Sequence, residues 1–133
     1  MRVLICGSMQ WHDRPRIRAV LNRLCREARE AGEEFVVIHG AHPNGAEKIA
    51  DEICWSELGL VPGETLIREP AQYKRYQRVA GNVRNQTMLD RHKPTIVYAF
   101  RDGIKSKETD DMVRRARRAG VPTRVVTPDA VNA

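Results

Sequence analysis

Three short loops and one helix start hold the residues of this chain best suited to chemistry. "CGSMQWHD" contains Gly7 and Ser8, with Trp11 close behind. "HGAHPNGAEK" contains His39, Gly40, Asn44, Gly45, Ala46 and Glu47. "RDGIKSKETDD" contains Asp102, Gly103 and Thr109, with Glu108 where a further glycine would be expected. Each loop follows an apolar run and precedes a helical pattern. Glycine lets a backbone approach a bound group closely, and a following helix offers unpaired N–H groups and the positive end of its dipole. The chemistry implied is the holding of a phosphate or a similar anion. In "AGNVRNQTMLD", Gly81 precedes Arg84 and Asn85, which fall in the first turn of a helix. A cation there opposes the helix dipole, so stability alone does not account for it. Its planar fork suits phosphate or carboxylate.

Other chemistries lack their residues. No loop is a Walker motif or a full GxGxxG, so ordinary NTP hydrolysis and NAD binding have no support. The four histidines show no HExxH pairing. Three cysteines without CxxC or Cys/His spacing give neither a disulfide framework nor a zinc site. They read as free thiols, Cys6 in a strand and Cys25 and Cys54 in helices. Neither a metal nor a cofactor is expected.

The loops can act together only if the elements between them bring them to one edge. "RVLIC" (2–6) and "EFVVI" (34–38) are continuous apolar runs, as in strands covered on both faces. Between them Ile17, Val20, Leu21, Leu24 and Ala28 share one helical face, with Pro15 in the first turn and Gly32 at the end. Asn44 is placed to cap a second helix that buries Ala46, Ile49, Ala50, Ile53 and Leu58 and closes at Gly59. "ETLIRE" (64–69) is a weaker, edge-like strand, and "AQYKRYQRVAGN" shows no clear period. A helix over about 82–92, the strand "TIVYAF" (95–100), a helix burying Met112, Val113, Ala116 and Ala119, and the strand "VPTRVVT" complete the order. Alternation of this kind predicts an α/β fold: a single Rossmann-like three-layer domain with a mainly parallel five-stranded sheet. In such sheets ligands bind beyond the carboxyl ends of the strands, where the winding reverses.

A chain of 133 residues that is 41% hydrophobic and 30% charged is of a size and composition for one folded domain. Its apolar runs stop at about four residues, far short of the ~20 a membrane span needs. With no signal-peptide layout at the start, a cytoplasmic location without membrane contact is expected. The net charge of +6 and the arginine cluster Arg114, Arg115, Arg117 and Arg118 also admit a nucleic-acid partner.

"MRVLICGS", "VIHGAHPNGAEKIADE", "AGNVRNQTMLD" and "DMVRRARRAGVP" occur in the order and spacing seen in small bacterial and phage proteins of the YspA type. The chain thus resembles the SLOG superfamily, which also holds the DNA-processing protein DprA/Smf and the LOG phosphoribohydrolases. The resemblance implies a Rossmann-like fold and a nucleotide or nucleotide-derived small-molecule ligand. Its most specific element is Gly-x-x-Arg-Asn, here Gly81, Arg84 and Asn85. It departs at the fourth strand, where LOG enzymes carry Pro-Gly-Gly-x-Gly-Thr-x-x-Glu. Aligned on Thr109, the glycine becomes Glu108 and the catalytic glutamate becomes Met112, so that glycosidic cleavage does not transfer. Asp110 and Asp111 are near, but a shift of one or two helical residues turns a side chain by roughly 100–200°.

The expected site is a pocket framed by Gly7, Ser8, His39, Gly40, Asn44, Gly45, Ala46, Gly81, Asp102, Gly103 and Thr109. Arg84 would contact a phosphate and Asn85 the loop or ligand. Trp11 or Tyr76 would either stack on a base or serve a purely structural role, and Glu47 would meet a ribose hydroxyl, as the resemblance implies. The leading function is binding of a nucleotide-derived signal, with sensing or sequestration in phage–host conflict as one use. The alternatives are a nucleoside-monophosphate glycosidase and DprA-like nucleic-acid binding. SLOG relatives commonly self-associate, so a homodimer or higher homo-oligomer is expected.

Overall fold

A computed structural model describes residues 1–128 of the chain. The apolar runs form five strands: β1 (Arg2–Gly7), β2 (Val36–His39), β3 (Leu66–Arg68), β4 (Ile96–Phe100) and β5 (Thr123–Val126). Between them lie α1 (Arg14–Glu30), α2 (Ala46–Ser56), the one-turn α3 (Tyr73–Tyr76), α4 (Ala80–His92) and α5 (Lys107–Arg118). All strand pairs are parallel, in the order β3-β2-β1-β4-β5. The fold is therefore α/β and Rossmann-like, with the five-stranded sheet as its middle layer.

Alternation along the strands divides the core in two. Val3, Ile5, Val37, Tyr98 and Phe100 face α1 and α2, meeting Ile17, Leu21, Leu24 and Ile53. Leu4, Cys6, Ile38, Val97 and Ala99 face α4 and α5, meeting Met88, Leu89, Met112 and Val113. β1 lies at the centre of both layers. Weak "ETLIRE" becomes the edge strand β3, as its polar flanks predict.

The aperiodic stretch becomes α3 and a 3₁₀ turn (Gln77–Val79), and α4 begins at Ala80, earlier than its pattern indicates. Asn44 does not cap α2. Gly45 holds that position, with no side-chain cap bond, and Asn44 instead donates its backbone N–H to His42 Nδ1 at 3.2 Å. α1 is capped by Asp13, whose Oδ1 accepts from the Arg16 N–H at 3.1 Å. Among the described residues, no helix is long and apolar enough to cross a membrane.

The chain steps from β1 through β2 to β3 along one half of the sheet, then crosses to the other side of β1 with β4. The reversal lies between β1 and β4. Their carboxyl ends, Gly7 and Phe100, are register partners and open into the loops singled out above.

Candidate functional site

A cleft of about 310 Å³ lies at this reversal. Gly7, Ser8, Met9 and Gln10 form one wall, and Ile104 through Thr109 form the opposite one. Cys6, His42, Glu47, Tyr73, Arg84 and Asn85 complete the lining.

The first two glycine loops close on each other instead of standing open. The Ser8 N–H donates to Phe100 O at 2.9 Å, and the Ala46 N–H donates to Ser8 O at 3.0 Å. A side chain at Gly7 would collide with Phe100 O and the Ala46 methyl. One at Gly45 would collide with backbone atoms of Ser8 and Met9. The leading N–H of α2 is thus taken by protein.

Arg84 is only 6% exposed. Its Nη1 donates to Gly40 O at 2.7 Å, its Nε to Asn85 Oδ1 at 3.1 Å, and its Nη2 to Glu108 Oε2 at 3.0 Å. Gly40 has no side chain because the guanidinium occupies that space, and Gly81 leaves the same room for the Glu108 carboxylate. Asn85 Nδ2 donates both to Glu108 O and to Asp111 Oδ2, each at 3.0 Å. The Gly-x-x-Arg-Asn segment clasps the start of α5. Tyr73 Oη adds a donor to Glu108 Oε1 at 3.4 Å, and the Glu108 charge raises the phenol's pKa.

No side chain caps the amino end of α5; the Ser106 hydroxyl, at the cap position, donates to Thr109 Oγ1 at 2.7 Å. Lys105 and Lys107 beside it line the cleft and have no ion pair among the described residues. Asp110 pairs with Arg101 at 3.1 Å. Burial opposes ionisation of Asp111, yet hydrogen bonds from Arg115, Asn85 and Asn82 hold its carboxyl below the ordinary carboxylate value. Met112 is 0% exposed and belongs to the core. Glu47 and Glu108 are thus the carboxylates on the cleft wall among the described residues. All three cysteines are buried and unpaired, and burial pushes the Cys6 and Cys54 thiols up, away from nucleophilic use.

Of the residues expected at the site, Gly7, Ser8, Glu47, Arg84, Asn85 and Thr109 line the cleft. Gly40, Ala46 and Gly81 lie just behind it as spacers. Several others are elsewhere. Trp11 is 1% exposed, edge-on to Phe100 at 5.3 Å, with Nε1 donating to Asp13 O; it has no face for a base. Tyr76 lines a separate 110 Å³ hollow behind Arg84, under the Arg75 guanidinium. Asn44 and Gly45 border a neighbouring depression on the α2 side. Asp102 Oδ1 accepts from the Ile104 N–H and shapes the turn with Gly103, outside the lining. Tyr73, Lys105 and Lys107 were not anticipated. The lysines stand inside the third glycine loop, whereas Tyr73 lies in the stretch without a period.

His39 is a brace. Its Nδ1 accepts from the Ala41 N–H at 2.9 Å, which leaves Nε2–H to donate to Asp51 Oδ2 at 2.7 Å. Arg68 adds a bidentate contact to the same carboxylate, joining β2, α2 and β3. Burial raises the Asp51 pKa, but hydrogen bonds from His39 and Arg68 outweigh it and leave the carboxyl well below its usual range. A depressed folded pKa contributes stability above the unfolded value and loses it as pH falls below about 4. Asp51→Asn should therefore lower stability by about 1–3 kcal/mol at pH 7 and flatten its fall towards pH 3. Urea midpoints at the two pH values check this.

The arginine cluster on α5 is half committed. Arg115 donates to Asp111 Oδ2 and Gln86 Oε1, and Arg114 to Asp111 Oδ1, while Arg117 and Arg118 stand exposed.

Residues 1–60, from β1 through α2, match the model of the family YAcAr, described as the YspA, cpYpsA-related SLOG family. That match covers 60 of the 133 residues, and over it the chain is similar to the SLOG family. No curated protein and no solved structure gives a significant match. The match includes Gly7, Gly40, Gly45 and Glu47 and stops before the Arg84–Glu108 clasp. This similarity supports a nucleotide-related role, binding or glycosidic, at the level of the superfamily.

Proposed function

We propose that the cleft between β1 and β4 binds a nucleotide or nucleotide-derived ligand. The observation that carries this reading is the uncapped amino end of α5, flanked by unpaired Lys105 and Lys107, at the winding reversal of a SLOG-type sheet. Helix amino ends and ammonium groups favour anions, and strand reversals are where open α/β sheets take ligands. A volume of about 310 Å³ is at the small end of ligand pockets. In this reading the phosphate meets the lysines and the α5 amides. Tyr73 and Ile104 offer apolar surface to the base, and Glu47 accepts from a ribose hydroxyl. A sensing or sequestering role needs no more than this. A homodimer is part of the same proposal, and a light-scattering mass at tens of micromolar decides it.

Calorimetry with AMP, CMP and the corresponding diphosphates tests the reading. Replacing Lys105 and Lys107 together by alanine should weaken any such affinity by about ten- to hundredfold, as expected for lost charge-assisted contacts. The variant's melting temperature should stay close to that of the parent, because both lysines are exposed. Absence of binding by every nucleotide tried, with no small molecule in native mass spectra, would sink the idea.

A second reading rests on Glu47 and Glu108 sharing one cleft, since paired carboxylates are the machinery of glycosidic cleavage. Chromatography for free base released from AMP or CMP separates the two. Release that Glu47→Gln abolishes would establish the enzyme.

A further inference from the structure

The Gly81-x-x-Arg84-Asn85 segment is built around a carboxylate that belongs to the chain itself. Arg84 Nη2 and Tyr73 Oη donate to the two oxygens of Glu108, and a methyl group at Gly81 would overlap that carboxylate. Asn85 fixes the Glu108 backbone through its carbonyl oxygen. The other Arg84 nitrogens are committed to Gly40 O and Asn85 Oδ1, so one position of the fork faces the cleft, and Glu108 holds it. One cation, one hydroxyl donor and a glycine gap make a seat for a single oxyanion. The Glu108 side chain is 42% exposed, so a ligand in the cleft can reach it.

We infer that Glu108 is the specificity-determining residue of the cleft: a resident carboxylate in an oxyanion seat. It turns away ligands that would set a phosphate on Arg84. It selects those that bring a hydroxyl or amino donor to that end, with their phosphate directed to Lys105 and Lys107. A second anion beside a carboxylate is repelled, whereas a donor gains a charge-assisted hydrogen bond. The nature of the ligand rests on the nucleotide reading above. The seat does not.

The test uses the full chain and inorganic phosphate, titrated by calorimetry and thermal melting at constant ionic strength. Glu108→Ala should bind phosphate at least tenfold more tightly than the parent and rise in melting temperature with it. The same gain should persist when Lys105 and Lys107 are alanine, which places the phosphate on Arg84. Equal phosphate affinity in parent and variant overturns the seat, as does a gain that vanishes with the lysines. If Glu108→Ala does not fold, Glu108→Gln takes its place, and phosphate affinity equal to the parent's again overturns the proposal. A gain in phosphate affinity without nucleotide binding by the parent keeps the seat and removes the nucleotide reading. Nucleotide binding by the parent without that gain does the reverse.

Discussion

Arg84→Ala should destabilise the domain by about 2–4 kcal/mol before any ligand is added. The side chain is buried, and its nitrogens donate to Gly40 O, Asn85 Oδ1 and Glu108 Oε2. Truncation strips all three acceptors of a donor and leaves a void under the β2–α2 loop. Gly40 is buried, so its carbonyl bears the desolvation cost in full. Glu108 is partly exposed and regains water, which keeps the loss below the roughly 3–5 kcal/mol of a fully buried broken pair. Read from sequence, Arg84 is a phosphate contact, whose removal would lower affinity and leave the fold intact. The geometry assigns its fork to the protein, so the loss appears first in the urea midpoint. Arg84→Lys should recover only part of it, because an ammonium cannot reach two acceptors in a planar fork. A midpoint unchanged in Arg84→Ala would mean that the clasp contributes nothing to folding.

The contrast shows where sequence reading carries and where it stops. Short apolar runs and 3.6-residue periodicity concern contacts each element makes with the core. They locate all five strands and the four longer helices, and the parallel sheet follows from their alternation. The rule for winding reversals then places the cleft at the right edge. Roles within it depend on what faces what, and that is not periodic. Arg84 and Glu108 are 24 residues apart on different helices, so their pairing has no local signature. Glu108, which stands where a further glycine would be expected, is the residue that neutralises the arginine meant to attract a phosphate. Gly7, Gly40 and Gly81 were read as room for a ligand, and in each case the room is filled by the protein. A glycine reports that something comes close, not what it is. Trp11 followed the same logic in reverse: an aromatic beside a glycine loop suits a base, but its ring is covered by Phe100 and the α1 start.

Gly45→Ala should be the most damaging single-methyl change in the chain, costing about 3 kcal/mol or more. Gly45 has φ +77° and ψ −146°, a region populated almost only by glycine. The added methyl would also fall on Ser8 O and the Met9 backbone, which cannot rotate aside as a side chain can. Relief requires the α2 start to move away from the β1–α1 loop, and with it goes the Ala46 N–H bond to Ser8 O. Gly103 provides the control. Its φ is also positive, at +88°, but nothing lies within 4 Å of the position a methyl would take. Gly103→Ala should therefore show the conformational cost alone, about 1 kcal/mol. For a domain of this size these figures correspond to melting temperatures lower by roughly 10 °C and 3 °C. Equal drops in the two variants would show that the contact between the first two loops contributes nothing. The same movement displaces Ser8 and Met9 from the cleft wall, so Gly45→Ala should also lose affinity for any nucleotide the parent binds, whereas Gly103→Ala, outside the lining, should keep it.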